Sequence, residues 1–178
     1  MTEEIIIAGF GGQGVLSMGQ ILCYSGVMEN KEVTWMPSYG PEMRGGTANC
    51  IAIISDNAIS SPILTRFDTV IALNQPSLDK FESAVKPGGL LIYESDTILN
   101  PPTRKDITIV PLAATQEASK MNNTKIMNMI VLGAFLKKKP IIAMENIIKG
   151  LKKVLPERYH NLIPLNEAAI KKGMELAG

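Results

Sequence analysis

Apolar residues come in short β-branched runs over the first two-thirds of the chain and at helical spacing over the last third. Runs over 4–8, 32–37, 47–55 and 68–73, followed by Leu90–Tyr93 and Ile107–Val110, are rich in Ile and Val. Gly, Pro, Asn or Asp bound them, which is the signature of strands. Between the first two runs, Val15, Met18, Gly19, Leu22 and the segment Ser25 to Met28 fit one face of a helix over 14–29. Asn74-Gln75-Pro76 opens a helix directly after the 68–73 run, with the proline suited to its first turn. Lys86-Pro87-Gly88-Gly89 then turns the chain into the next strand. Asp56-Asn57 followed by Ala58-Ile59-Ser60 predicts a hairpin, and with it an antiparallel pair in an otherwise parallel sheet. From Pro111 onward the pattern is helical, over 115–121, 124–138, 143–154 and 161–177, with Ile126, Met129, Ile130, Gly133 and Ala134 on one face of the second. Pro140 and Pro156 punctuate these helices. The expected architecture is α/β and three-layer Rossmann-like: a mostly parallel sheet with an antiparallel edge and a helical C-terminal part. One domain is expected over 1–178, its α/β core reaching 112 and its helical part running over 113–178.

The first run, Ile5-Ile6-Ile7-Ala8, leads into Gly9-Phe10-Gly11-Gly12-Gln13-Gly14, a G-x-G-x-x-G turn. In a strand–turn–helix unit such a turn aims backbone N–H groups and a helix N-terminus at an anion, commonly a pyrophosphate. A dinucleotide site also needs an Asp or Glu about 20 residues further on, at the end of the second strand, to hold the ribose. Here that strand ends in Ser38-Tyr39-Gly40-Pro41, and Glu32 stands at its opposite end. The nucleotide signal is therefore incomplete.

The 178 residues carry 18 basic and 17 acidic side chains, a balance that gives no reason to expect nucleic acid or an anionic membrane as partner. Met1-Thr2-Glu3-Glu4 lacks the basic segment and apolar core of a signal peptide, and no stretch approaches a membrane span of about 20 apolar residues. A cytoplasmic protein with Cys23 and Cys50 as free thiols is expected. Aromatics make up only 5% while ten methionines are present, a composition that fills cores and also adapts to partner surfaces.

Three loops should leave the C-terminal edge of the sheet, where open α/β sheets bind ligands. They are Gly9–Gly14, Ser38–Gly46 and Asn74–Pro76. The middle one sets Tyr39, Glu42 and Arg44 among Gly40, Pro41, Gly45 and Gly46. Arg44 offers a planar fork for carboxylate or phosphate, and Glu42 could orient it or pair with a basic group on another chain. A local Glu42–Arg44 pair would merely hold the loop; the concentration of unusual residues favours a binding surface. Self-sufficient catalytic machinery is missing from the sequence. His160 is the only histidine and lies among the C-terminal helices, neither cysteine belongs to a C-x-x-C, and no G-x-S-x-G elbow or Walker lysine is present.

The two loop motifs, Ile6-Ala8-Gly9-Phe10-Gly11-Gly12-Gln13-Gly14-Val15 and Ser38-Tyr39-Gly40-Pro41-Glu42-Met43-Arg44-Gly45-Gly46-Thr47, with Ser60-Ser61-Pro62 beyond, give the chain a family likeness. It resembles the gamma subunit of 2-oxoacid:ferredoxin oxidoreductases, along its whole length. The resemblance implies a complex that converts a 2-oxoacid and CoA to acyl-CoA and CO2 while reducing ferredoxin, with 2-oxoglutarate or branched-chain oxoacids favoured over pyruvate. It implies that this chain binds no cofactor alone and is inactive alone. Thiamine diphosphate, Mg and iron–sulfur clusters would be carried by alpha and beta subunits, a delta subunit being a further partner, and CoA would be the cosubstrate. By the same resemblance Gly9, Gly11, Gly12, Gln13 and Gly14, with Tyr39, Glu42, Arg44, Gly45 and Asn74, form the interface to the active site. The isolated chain is expected to pair with itself through surfaces meant for partners. Two other readings stay open: a free-standing flavin- or nicotinamide-nucleotide-binding domain using Gly9–Gly14, and the small subunit of an indolepyruvate oxidoreductase.

Overall fold

A computed structural model describes residues 1–39 and 47–178 of the chain. The β-branched runs form six strands: β1 (Thr2–Phe10), β2 (Glu32–Tyr39), β3 (Thr47–Ser55), β4 (Phe67–Ala72), β5 (Val85–Glu94) and β6 (Thr108–Leu112). They make one sheet in the order β2-β3-β1-β4-β5-β6. β1, β4, β5 and β6 run parallel, as the near-continuous Ile and Val runs buried on both faces require. β3 enters antiparallel between β1 and β2, with Ile6 opposite Ile51 and Trp35 opposite Ala52.

The expected antiparallel pairing is present, but β3 makes it inside the sheet, between β1 and β2, and not in the expected hairpin. Residues 56–66 form no strand. Asp56 instead ties the end of β3 to the start of the chain, accepting from the Met1 amine at 2.8 Å and from Lys31 Nζ at 2.7 Å. Ser55 Oγ takes the Asn57 N–H at 3.0 Å. With its turn residues used in this way, the segment leaves the sheet. The Lys86–Gly89 turn also differs from expectation, because it lies inside β5 as a bulge between the pairs Phe67–Val85 and Thr69–Leu90. Gly88 adopts a φ of 75° there and donates to Asp106 O at 2.8 Å.

Helix α1 (Val15–Met28) packs on one face of β1, β3 and β2, and α2 (Gln75–Phe81) on the opposite face against β4 and β1. The helical part returns to the α1 face as α3 (Ala114–Lys120), α4 (Met127–Lys138), α5 (Met144–Val154) and α6 (Ile163–Leu176). α4 is buried from Met127 to Leu136 on all sides rather than along one stripe, as a helix apolar all round must be. It holds α6 by direct backbone contact: a Cβ at Gly133 would meet the Ile170 carbonyl, and one at Gly173 the Ile130 carbonyl. Among the described residues no helix is long and apolar enough to cross a membrane.

The seam between α1 and the sheet holds both thiols, free and buried. Cys23 Sγ donates to Thr34 O at 3.3 Å and Cys50 Sγ to Val15 O at 3.5 Å. Burial pushes each thiol up from an ordinary value of 9.0 to about 12. The unfolded thiols therefore ionise first as pH rises, so their contribution to stability is intact below about pH 9 and declines from there toward about 12. We expect neither thiol to react with a disulfide reagent at pH 8 in the folded chain and both to react in denaturant, as a thiol-titration assay would measure.

Candidate functional site

The helices that follow neighbouring strands β1 and β4 lie on opposite faces of the sheet. The C-terminal ends of these strands therefore frame the crevice in which open α/β sheets bind ligands. The Gly9–Gly14 turn forms one wall. Its shape is set by Gln13, whose Oε1 accepts the Phe10 N–H at 2.6 Å while its Nε2 donates to Leu73 O at 3.2 Å, at the end of β4. Leu73 N in turn donates to Ala8 O at 2.8 Å. The side chain of Gln13 is thus spent within the chain, lashing the turn to the neighbouring strand. Gly9 is required by this bridge, because a Cβ there would lie 2.6 Å from Gln13 Oε1.

Gly14 is the residue before α1 and takes a φ of 76°, in the left-handed region that favours glycine. Its place is fixed from the helical part of the chain. Asn128, on α4 and 8% exposed, covers it so closely that a Cβ on Gly14 would collide with the Asn128 amide. Asn128 Nδ2 points at Gly14 O at 3.4 Å. The sequence reading missed Asn128. The signal that could have found it is an amide side chain amid an apolar run, since a buried polar group needs a reason to be there.

No side chain caps α1. The N–H groups of Gly12, Gly14, Val15, Leu16 and Ser17 find no acceptor among the described residues, as helix geometry demands for a first turn without a cap. The residues bearing them line a cavity of about 310 Å³, closed on the far side by Thr47 and Ala48 of β3. Among the described residues no lining side chain is charged. The positive end of the α1 dipole and the orphan N–H groups together make an anion site that is electrostatically favourable without a cationic side chain.

Ala48 pairs with Gly9 on one side and with Tyr39 on the other. The glycine turn and the end of β2 therefore leave the same sheet edge, two strand spacings or about 10 Å apart. Tyr39 ends β2; Glu42, Arg44 and Gly45 lie outside the described residues. Asn74 is the N-cap of α2. Its Oδ1 accepts the Ser77 N–H at 2.8 Å, while its Nδ2 is buried without a described partner. His160 is far from this edge: its Nε2 lies 2.9 Å from Leu155 O and 3.0 Å from Lys152 O, closing the end of α5. Among the described residues no cluster of His, Cys, Asp or Glu could hold a metal ion.

The strand order bears on the dinucleotide reading. In that fold the strand carrying the ribose-binding acid lies directly beside the first strand. Here antiparallel β3 occupies the place, and the end of β2 stands one strand further out. The turn keeps its phosphate-facing backbone but lacks the neighbour that would read a ribose.

Comparison with known proteins follows the same line. A family model described as pyruvate ferredoxin/flavodoxin oxidoreductase matches residues 4–176. The chain is similar to the 2-oxoglutarate synthase subunit KorC of Methanocaldococcus jannaschii, 32% identical over 180 residues that cover 99% of this chain and 95% of that one. It is also similar to the ketoisovalerate oxidoreductase subunit VorA of Methanothermobacter thermautotrophicus, 42% identical over 133 residues, 75% of this chain; the match spans only 28% of VorA. Among solved structures, a keto/oxoacid ferredoxin oxidoreductase gamma subunit from Geobacter sulfurreducens superposes with a TM-score of 0.82, at 28% identity and 98% coverage of both chains.

If Gln13 lashes the turn to β4, Gln13→Ala leaves the Phe10 N–H and Leu73 O unpaired and should cost about 1–3 kcal/mol of stability. Denaturant unfolding would measure the loss, and amide exchange at Phe10 should quicken. Unchanged exchange there would contradict the bridge.

Proposed function

The chain belongs to the pyruvate ferredoxin/flavodoxin oxidoreductase family, and we propose that it is the gamma subunit of a 2-oxoacid:ferredoxin oxidoreductase. The assembled enzyme would convert a 2-oxoacid and CoA to acyl-CoA and CO2, passing the electrons to ferredoxin. The observation that carries this reading is the glycine-turn cavity: N–H groups without a described acceptor at the positive end of a helix dipole, with no charged side chain among its described lining residues. Such a site can hold and orient an anion, and in this reading the reacting groups come from partner subunits. The match to KorC over nearly the whole of both chains supports a subunit of this kind.

In this reading alpha and beta subunits, with delta as a further partner, carry thiamine diphosphate, Mg and the iron–sulfur clusters. Thiamine diphosphate supplies the decarboxylation chemistry and the clusters carry the electrons away. This chain contributes the wall of the active site formed by Gly9–Gly14 and the 39–46 loop. The turn's N–H groups would take a phosphate of CoA, and Arg44 would contact an anionic group of the ligand or of a partner subunit, with Glu42 orienting it. The names of KorC and VorA favour 2-oxoglutarate or a branched-chain oxoacid as substrate. A free-standing nicotinamide-binding domain is disfavoured by the strand that separates β1 from β2.

Co-expression with the accompanying alpha and beta subunits, followed by assay with several 2-oxoacids, CoA and a viologen acceptor, tests the proposal. Activity with 2-oxoglutarate or 2-ketoisovalerate is expected, and the chain alone should be inactive. Arg44→Ala should lower acyl-CoA formation about tenfold or more, the loss expected for a charged hydrogen bond. Activity with no 2-oxoacid would sink the subunit assignment; an unaffected Arg44→Ala complex would sink the role of Arg44.

A further inference from the structure

On the face of the sheet opposite α1 lies a second and larger cavity, about 650 Å³, between the outer strands and α2. Its size is within the range of small-molecule sites. The floor is apolar, made by Ile6, Met36 and Ile51, and the half-buried ring of Phe81 forms a wall. Asn49 and Ser38 line one end, and neither side chain bonds to a described residue. Arg66 and Lys80 stand at the rim.

The two exposed cations have no ion-pair partner among the described residues, and the described carboxylates nearby are committed elsewhere. Asp79 accepts from Gln75 Nε2 at 2.8 Å. Glu82 takes the N–H groups of Thr103 and Arg104 at 2.7 and 3.0 Å. Asp68 pairs with Lys86 at 2.8 Å. No described carboxylate lies within ion-pair distance of Arg66 or Lys80, and none of the described lining residues is acidic. Lys80 Nζ sits 5.2 Å from the centre of the Phe81 ring, so charge and aromatic surface adjoin.

We propose that this groove binds a nucleoside phosphate, with the phosphate between Arg66 and Lys80 and the base against Phe81. Two cations without a described counter-charge suit a doubly charged phosphate, and the guanidinium fork of Arg66 matches its oxygens. A flat aromatic wall over an apolar floor accepts the face of a base, while the Asn49 amide supplies a donor and an acceptor for its edge. The site is separate from the glycine turn, which lies at the sheet edge where α1 begins. It rests on the groove alone and not on the subunit assignment. Its ligand could be a free nucleotide or the nucleotide end of CoA.

Calorimetric titration of the full chain with AMP tests it, with adenosine and inorganic phosphate as the separate halves. AMP should bind about tenfold or more tightly than either half, and Arg66→Ala and Lys80→Ala should each weaken AMP about tenfold. Lys171→Ala, whose cation pairs with Glu167 on α6, should bind AMP as the parent does. Displacement of AMP by CoA would assign the groove to the nucleotide end of CoA, and persistence of AMP would assign it to a free nucleotide. Absence of AMP binding, or binding that both rim variants leave unchanged while their melting temperatures match the parent's, would overturn the proposal.

Discussion

One side chain, Gln13, holds the C-terminal edge of the sheet in shape at the glycine turn. Its amide closes the turn on the Phe10 N–H and fastens it to the Leu73 carbonyl, so that the ends of β1 and β4 cannot separate without breaking the bridge. The consequence is electrostatic as well as steric. With Gln13 folded back and Gly14 starting the helix in a left-handed conformation, no described side chain caps α1, and its first N–H groups have no acceptor among the described residues. Water or an anion must satisfy them.

The opposite edge of the sheet is built on another principle. There Lys86 bridges Glu4 and Asp68, and the buried carboxylate of Glu3 accepts from Thr69 and Lys139. Every one of these carboxylates is partnered, as buried or half-buried charge must be. The ion pairs thus lock the N-terminal ends of the strands, while neutral backbone remains available at the C-terminal ends. The helical part joins the two: the close α4–α6 contact at Gly133 and Gly173 fixes α4, and α4 brings Asn128 against Gly14. A site made largely of backbone thus depends on packing that begins more than a hundred residues away in sequence.

Strand positions were legible because parallel strands covered on both faces must be apolar throughout, and β1 and β4 read as such. The helices after Pro111 were legible from their spacing. Pairing was not, since a run such as 47–55 has the same composition whichever neighbour it takes, and the turn residues Asp56-Asn57 serve the Met1 amine and Lys31 instead of a hairpin. At the site, the glycines announced the turn, but G-x-G-x-x-G could not tell that the glutamine between them points inward or that β3 separates the turn from β2. Asn74, singled out as an interface residue, also caps its own helix through its oxygen. Asn128 is a long-range contact, which no local pattern encodes.

In the proposed assembly the N–H groups after Gly11 that lack a described acceptor face an anionic ligand. Hydrogen exchange over residues 11–17, measured on the chain alone, in the assembled complex, and in the complex with CoA, tests it directly. Fast exchange is expected in the isolated chain, with marked slowing in the complex with CoA. Exchange at those amides that is unchanged by assembly and by CoA, while other surfaces of the chain become protected, would contradict it.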